Sequence, residues 1–213
     1  MHFLQREAAP NCLSNYQHGQ HQWTSPTVAE RTEIRTALEA MQGRRCAYCE
    51  CDLPQDGQHG QHIEHFRQRS RYPQGTFDWD NLFLSCDRED SCGKHKDTCT
   101  YTPADLIKPD VEDPELFFRY GEDGTISVRQ GLSPQQQHRA IETLRIFNLD
   151  DQWGPLRQMR SVVCNGYLET ATAFQEMAQQ YPAADWWPLL QQELASISQL
   201  PFCTAIKHTL TPA

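Results

Sequence analysis

Apolar residues recur at helical spacing near both ends of the chain and are sparse through its middle. Val28, Ile34, Leu38 and Met41 lie roughly along one face of a helix that Ser25 can cap, Pro26 suits in its first turn and Gly43 stops. Residues 116–120, the turn Gly121-Glu122-Asp123-Gly124 and residues 125–128 read as a hairpin. Ser133-Pro134 opens a second helix, with Ala140, Ile141, Leu144 and Phe147 on its apolar side. One long amphipathic stretch is expected over 155–181, stopped by Pro182, and a last helix over 184–200 with Pro188 as a kink in its first turns. The polar patches 18–22 and 58–62 read as loops. The fold class expected is α+β, in three segments: a helical 1–43, a Cys/His-rich 44–108 with short strand-like pieces, and a hairpin plus helices over 109–213.

Hydrophobic residues make up 38% of the 213, so a core is affordable but not generous. A small polar module such as 44–108 needs help, and a bound metal is the usual source. The net charge of −9 is the wrong sign for a chain that grips nucleic acid unaided over a broad surface. Most of that excess falls in 109–213, where thirteen acidic residues face seven basic ones. No run of 18 or more apolar residues exists, and the N-terminus lacks the pattern of a secretory signal, so no membrane association and a cytoplasmic location are expected.

Five of the nine cysteines fall between Cys46 and Cys92. Clustering of this kind favours metal ligation over a disulfide framework. Cys46-Ala47-Tyr48-Cys49 and the pair Cys86/Cys92 can supply four thiolates to a closed, tetrahedral, structural zinc site. Cys51 and Cys99 are alternative ligands, a redox pair is the competing reading of Cys46/Cys49, and reduced buried thiols are the plain one. Asp87, Arg88, Glu89, Asp90 and Ser91 around the second pair are poor company for a core and natural for a knuckle.

Between the two pairs lie Gln61-His62-Ile63-Glu64-His65-Phe66-Arg67 and Asp78-Trp79-Asp80-Asn81-Leu82-Phe83-Leu84-Ser85-Cys86, and after Cys92 come Gly93-Lys94-His95-Lys96-Asp97. An acidic residue beside a histidine, an Asn-Leu pair five residues before a cysteine, and a last cysteine followed by His and Lys make the pattern of HNH nucleases. In these blocks, and in ADLIKPD, FFRYGEDGTI and AIETLRIFNLD downstream, the chain resembles the HNH endonuclease subunits (PtuB) of Septu anti-phage systems and their retron-associated relatives. The resemblance covers most of the chain and is weakest after about residue 160.

The resemblance implies a ββα-metal nuclease core with zinc knuckles, flanked by an N-terminal helix and a mostly helical C-terminal region that binds a partner. His65 is expected to be the general base, since a neutral imidazole titrates near working pH. Asn81 is expected to hold that imidazole by a hydrogen bond. Glu64 and His95 would ligate a catalytic Mg²⁺ or Mn²⁺, although in many HNH nucleases that second ligand directly follows the last cysteine, where this chain has Gly93. Arg67, Arg69 and Lys96 are expected phosphate contacts, with Arg71 extending the basic strip. His62 and Trp79 read more simply as a surface histidine and a core aromatic. The implied partner is an ABC/SMC-like ATPase, with a reverse transcriptase and its RNA–DNA product added in retron versions. The substrate is DNA or RNA, and the other class of function is a zinc-knuckle binding subunit without catalysis.

Overall fold

The computed structural model describes residues 1–54 and 60–211, so the polar patch expected over 58–62 lies partly outside the described residues. Helix α1 spans Val28–Gln42. Its cap is Thr27 rather than Ser25: the Thr27 side chain accepts from the Glu30 amide while Glu30 reaches back to the Thr27 amide, a closed capping box. Gly43 ends the helix in the left-handed conformation, as its position suggests.

The centre is a β–β–α unit. Strands β1 (Gln61–His65) and β2 (Leu82–Cys86) pair antiparallel, with Glu64 opposite Phe83 and His65 opposite Leu82, and helix α2 (Cys92–Thr98) follows. Gln61 and His62 are therefore strand, not loop. Every residue of β2 is buried, which is why its sequence is a continuous apolar run ending in Ser-Cys. Gln42, wholly buried at the end of α1, ties that strand on its far side: it accepts from the Leu84 amide at 2.8 Å and donates to the Leu84 carbonyl at 3.0 Å. The N-terminal segment is held there too. Arg6 pairs with Asp110, donates to the carbonyls of Trp79 and Leu82, and lies over the rings of Trp79 and Phe83.

The C-terminal half begins with the expected hairpin, β3 (Phe118–Tyr120) with β4 (Ile126–Val128), and continues with α3 (Pro134–Phe147), capped by Ser133 and Gln136. The single long helix expected over 155–181 is two, α4 (Pro155–Asn165) and α5 (Leu168–Gln180), broken at Gly166 and Tyr167. Helix α6 runs Ala183–Ile197 with Pro188 inside it, and α7 (Cys203–Leu210), not foreseen, completes the chain. Helix α7 is preceded by Phe202, held in the left-handed conformation with no side-chain cap hydrogen bond, and six of its eight residues are buried.

The main apolar core is continuous through all parts of the chain, from Met1 and Leu4 through Ile34, Tyr48 and Phe83 to Phe147 and Phe202. A smaller core joins α5, α6 and α7. No helix among the described residues is long and apolar enough to cross a membrane.

Helix α7 is pinned electrostatically at Glu115, whose carboxylate meets Lys207 at 2.8 Å and His208 at 3.3 Å. Burial opposes the Glu115 charge, but the hydrogen bonds from His208 and Lys207 outweigh it and hold the carboxyl down at about 2. A depressed carboxyl pKa stabilises the fold above the unfolded value near 4.5, and that stability is lost as pH falls toward 2. Glu115→Gln should therefore cost about 2 kcal/mol at pH 7 in urea unfolding, and the gap to the native protein should close between pH 4.5 and 2.

Candidate functional site

Two side-chain constellations flank strand β1. In the first, the Sγ atoms of Cys46, Cys49, Cys86 and Cys92 all lie within 4.8 Å of one another, and all four residues are buried. A tetrahedral ion bonded to sulfur at about 2.3 Å sets sulfurs roughly 3.8 Å apart, and Cys49 and Cys86 stand at 3.9 Å. The four residues thus fit a metal ion. Local backbone makes the convergence possible: the Cys46 amide donates to the Cys51 carbonyl and the Glu50 amide to the Cys46 carbonyl, closing a tight knuckle with Glu50 at positive φ. Cys92 also takes positive φ as it turns into α2. The six-residue step from Cys86 to Cys92, wider than the usual knuckle, is accommodated in this way. Cys51 is buried beside the cluster and Cys99 is apart from it, its nearest polar neighbours being Thr98 and His95. Packed thiols share their protons unequally. Burial pushes the Cys92 thiol up, while Cys46, despite the same burial, is drawn down by hydrogen bonds from Cys49 and its other neighbours.

The second constellation stands on β1 itself. Strand alternation puts His62 and Glu64 on one face and His65 on the other. Glu64 is 3% exposed, with Oε2 3.0 Å from His62 Nε2 and Oε1 2.7 Å from the ammonium of Lys96, which is fully buried. His62 Nδ1 meets Asp87 at 2.7 Å. Burial acts against the Glu64 charge, but the hydrogen bond from His62 and the charge of Lys96 keep the carboxyl below its ordinary value. Gly93 is needed here: a Cβ on it would sit 2.6 Å from Glu64 Oε2. The position after the last cysteine thus carries no ligand because Glu64 fills the space a side chain would take.

On the opposite face, His65 is buried, and its Nε2 lies 3.0 Å from the Thr76 carbonyl, so Nε2–H donates and Nδ1 is left as the acceptor nitrogen. Nδ1 makes no hydrogen bond among the described residues. Burial, first, and the charge of Arg69 lower the imidazole to about 4, so it is neutral at physiological pH. Trp23 packs edge-on against it, ring centroids 4.6 Å apart.

Several expected roles change. Asn81 does not bond the imidazole. It accepts from the Arg67 amide at 2.7 Å and donates to the carbonyls of Gly75 and Arg67, pinning the loop that carries Thr76. His95 makes no hydrogen bond to Glu64 among the described residues; its Nδ1 meets the Ile146 carbonyl at 2.9 Å, which leaves Nε2 as the acceptor nitrogen. Lys96 cannot meet a substrate phosphate, since it is buried on Glu64, Asp97 and Tyr101. Arg67 is engaged with Asp78 at 2.7 Å and Asp80 at 3.3 Å. Arg69 is exposed and carries no ion pair among the described residues. Trp79 is half-buried and donates to the Glu7 carbonyl. The residue passed over in the sequence is His62, and the signal was present: it sits two positions from Glu64, hence on the same strand face. Trp23 and the Thr76 carbonyl carried no signal, since each meets His65 only through the tertiary fold.

Asn81→Ala should leave the Arg67 amide and the Gly75 carbonyl unpaired and cost about 2–3 kcal/mol in urea unfolding. Asn81→Asp keeps the acceptor for Arg67 but sets a buried carboxylate oxygen against the Gly75 and Arg67 carbonyls, so it should cost at least as much, and amide hydrogen exchange at Arg67 should separate the two.

No family model matches the chain. It is 31% identical over 120 residues to the Septu protein PtuB of Bacillus thuringiensis, a match covering 52% of this chain and 43% of that protein. It is 26% identical over 144 residues to the candidate HNH endonuclease of retron Vc95 from Vibrio cholerae serotype O1 biovar El Tor, covering 65% of this chain and 68% of that one. The matched part is thus less than half the length of the Septu protein. Both matches agree with the resemblance read from the sequence: the chain is similar to a Septu protein and to a retron HNH protein.

Proposed function

We propose that the chain is a metal-dependent HNH endonuclease, the cutting subunit of an anti-phage defence complex. The observation that carries the reading is His65: a buried imidazole whose Nε2–H is held by the Thr76 carbonyl, with Nδ1 left to accept a proton. That is the disposition of a general base, and a core histidine with no chemistry to do would have both nitrogens engaged. The names of the two relatives support the same class, one as a Septu protein and the other as an HNH endonuclease of a retron.

In this reading His65 Nδ1 takes the proton of the water that attacks phosphorus. Thr76 fixes the tautomer, and Asn81 is a positioning residue that acts through the loop backbone. Glu64 Oε2 and His62 Nε2, 3.0 Å apart, would hold Mg²⁺ or Mn²⁺ in place of the Glu64/His95 pair expected from sequence. Such an ion offsets charge on the phosphate and on the leaving oxygen. Lys96, with its ammonium on Glu64 Oε1, orients the carboxylate from behind. Cys46, Cys49, Cys86 and Cys92 hold structural zinc that fixes β2 and α2 around the site. Residues 44–108 form the nuclease core, and 109–213 is the surface for the partner ATPase. The acidic balance of that region agrees with nucleic acid being engaged through the partner rather than by this chain alone. Either DNA or RNA suits a site that addresses the backbone.

His65→Ala should reduce cleavage of plasmid or RNA, in Mg²⁺ or Mn²⁺ with the partner present, by about 10²–10⁴-fold while the protein stays folded and keeps its zinc. Undiminished cleavage would assign the chain to the non-catalytic zinc-knuckle class.

A further inference from the structure

A cleft of about 410 Å³ opens beside His65, and the cutting chemistry leaves it unused. Its walls are the segment His18 to Trp23 on one side and Arg69, Pro73 and Thr76 on the other. Two of its lining residues touch the base. Thr76 supplies the carbonyl that holds His65, and Trp23 touches the imidazole edge.

The lining has a definite chemistry. Arg69 is the one arginine of the basic strip without a hydrogen bond or ion pair among the described residues, whereas Arg67 is tied to Asp78 and Asp80, and Arg71 to Thr100. Its guanidinium lies 6.0 Å from the centroid of the Trp23 indole. Exposed His18, Gln20 and Gln22 add neutral donors and acceptors around the indole, and no carboxylate lines the cleft. A free cation, an aromatic face next to it and neutral hydrogen-bonding groups around both match the phosphate, the face and the edge of one nucleotide. The volume lies in the range of small-ligand sites and is enough for a single nucleotide. A base inside a duplex has its faces stacked and its pairing edge engaged, and it can reach this indole only by leaving the helix.

We propose that the cleft is a nucleotide subsite that takes the base flanking the scissile phosphate, with that base on Trp23 and its phosphate on Arg69, so that unpaired nucleic acid is cut in preference to duplex. This rests on the nuclease reading above and adds the form of substrate that the site accepts.

Because Trp23 also packs on His65, its loss slows cleavage of every substrate, and the informative quantity is a ratio. The full chain with its partner, in Mn²⁺, is given a labelled single-stranded oligonucleotide and the same sequence as a duplex, in DNA and in RNA. The native protein should cleave the single strand faster. Trp23→Ala should lower the ratio of single-strand to duplex kcat/KM about tenfold, and Trp23→Phe, which keeps a stacking face, should restore most of it. A ratio unchanged in Trp23→Ala, with both substrates slowed equally, would overturn the subsite and leave Trp23 as a support for His65. A native protein that favours duplex would overturn it too. If the native protein cleaves none of the four substrates, the nuclease reading itself fails and the subsite with it.

Discussion

The convergence of four thiols at the ends of three elements is the constraint on which the rest of the molecule depends. Cys46 and Cys49 follow α1, Cys86 ends β2 and Cys92 begins α2, so any group that binds all four locks helix, strand and helix at once. The thiols act together with the Gln42 side chain, which ties α1 to β2, and with the apolar core shared by Ile34, Tyr48 and Phe83. The knuckle is also where the C-terminus attaches. Glu50, one residue beyond Cys49, accepts from Thr204 and from the N-terminal amine, and its carbonyl takes the Phe202 amide. Arg45 reaches the carbonyls of Ser198 and Leu200. Both ends of the chain are therefore built onto the thiol cluster, and the cores on either side share one continuous packing.

From that anchor the two faces of β1 receive opposite electrostatic treatment. One face carries a charged network, His62, Glu64, Lys96 and Asp87, in which a buried carboxylate stays ionised because cationic and polar partners surround it. The other carries His65, kept neutral by burial and given one defined tautomer by a backbone carbonyl. A strand achieves this with two adjacent residues, Glu64 and His65, because its period is two. The pairing of an anionic, ion-holding face with a neutral basic nitrogen at one strand end is what phosphodiester hydrolysis requires.

Much of this was legible in the sequence, and what was not had a physical reason. Helices α1 and α3 and the β3–β4 hairpin announced themselves through caps, turn residues and period, although Thr27 took the cap that Ser25 also offered, because only Thr27 has a glutamate three residues on to close the box. The ligand set Cys46, Cys49, Cys86 and Cys92 was readable from clustering, and the structure gathers those four, with Cys99 apart. Helix α7 was hidden because it is short, eight residues, and opens at Phe202 without a polar cap to mark its start. Within the site, the identities of Glu64 and His65 were plain while their partners were not. Asn81 acts on backbone rather than on the imidazole, His95 bonds the Ile146 carbonyl, and Lys96 is drawn inside by Glu64. Partner choice of this kind depends on tertiary geometry that residue spacing does not encode.

Two separate ions, one held by the thiol cluster and one exchangeable at Glu64 and His62, are central to the proposed function, and Mn²⁺ binding followed by electron paramagnetic resonance tests their separation most directly. The full chain should retain one zinc per chain after dialysis against a mild chelator and then bind one Mn²⁺. Glu64→Gln should abolish the bound Mn²⁺ signal and keep the zinc. Mn²⁺ bound undiminished in Glu64→Gln, or lost together with the zinc in Cys46→Ser only, would contradict it.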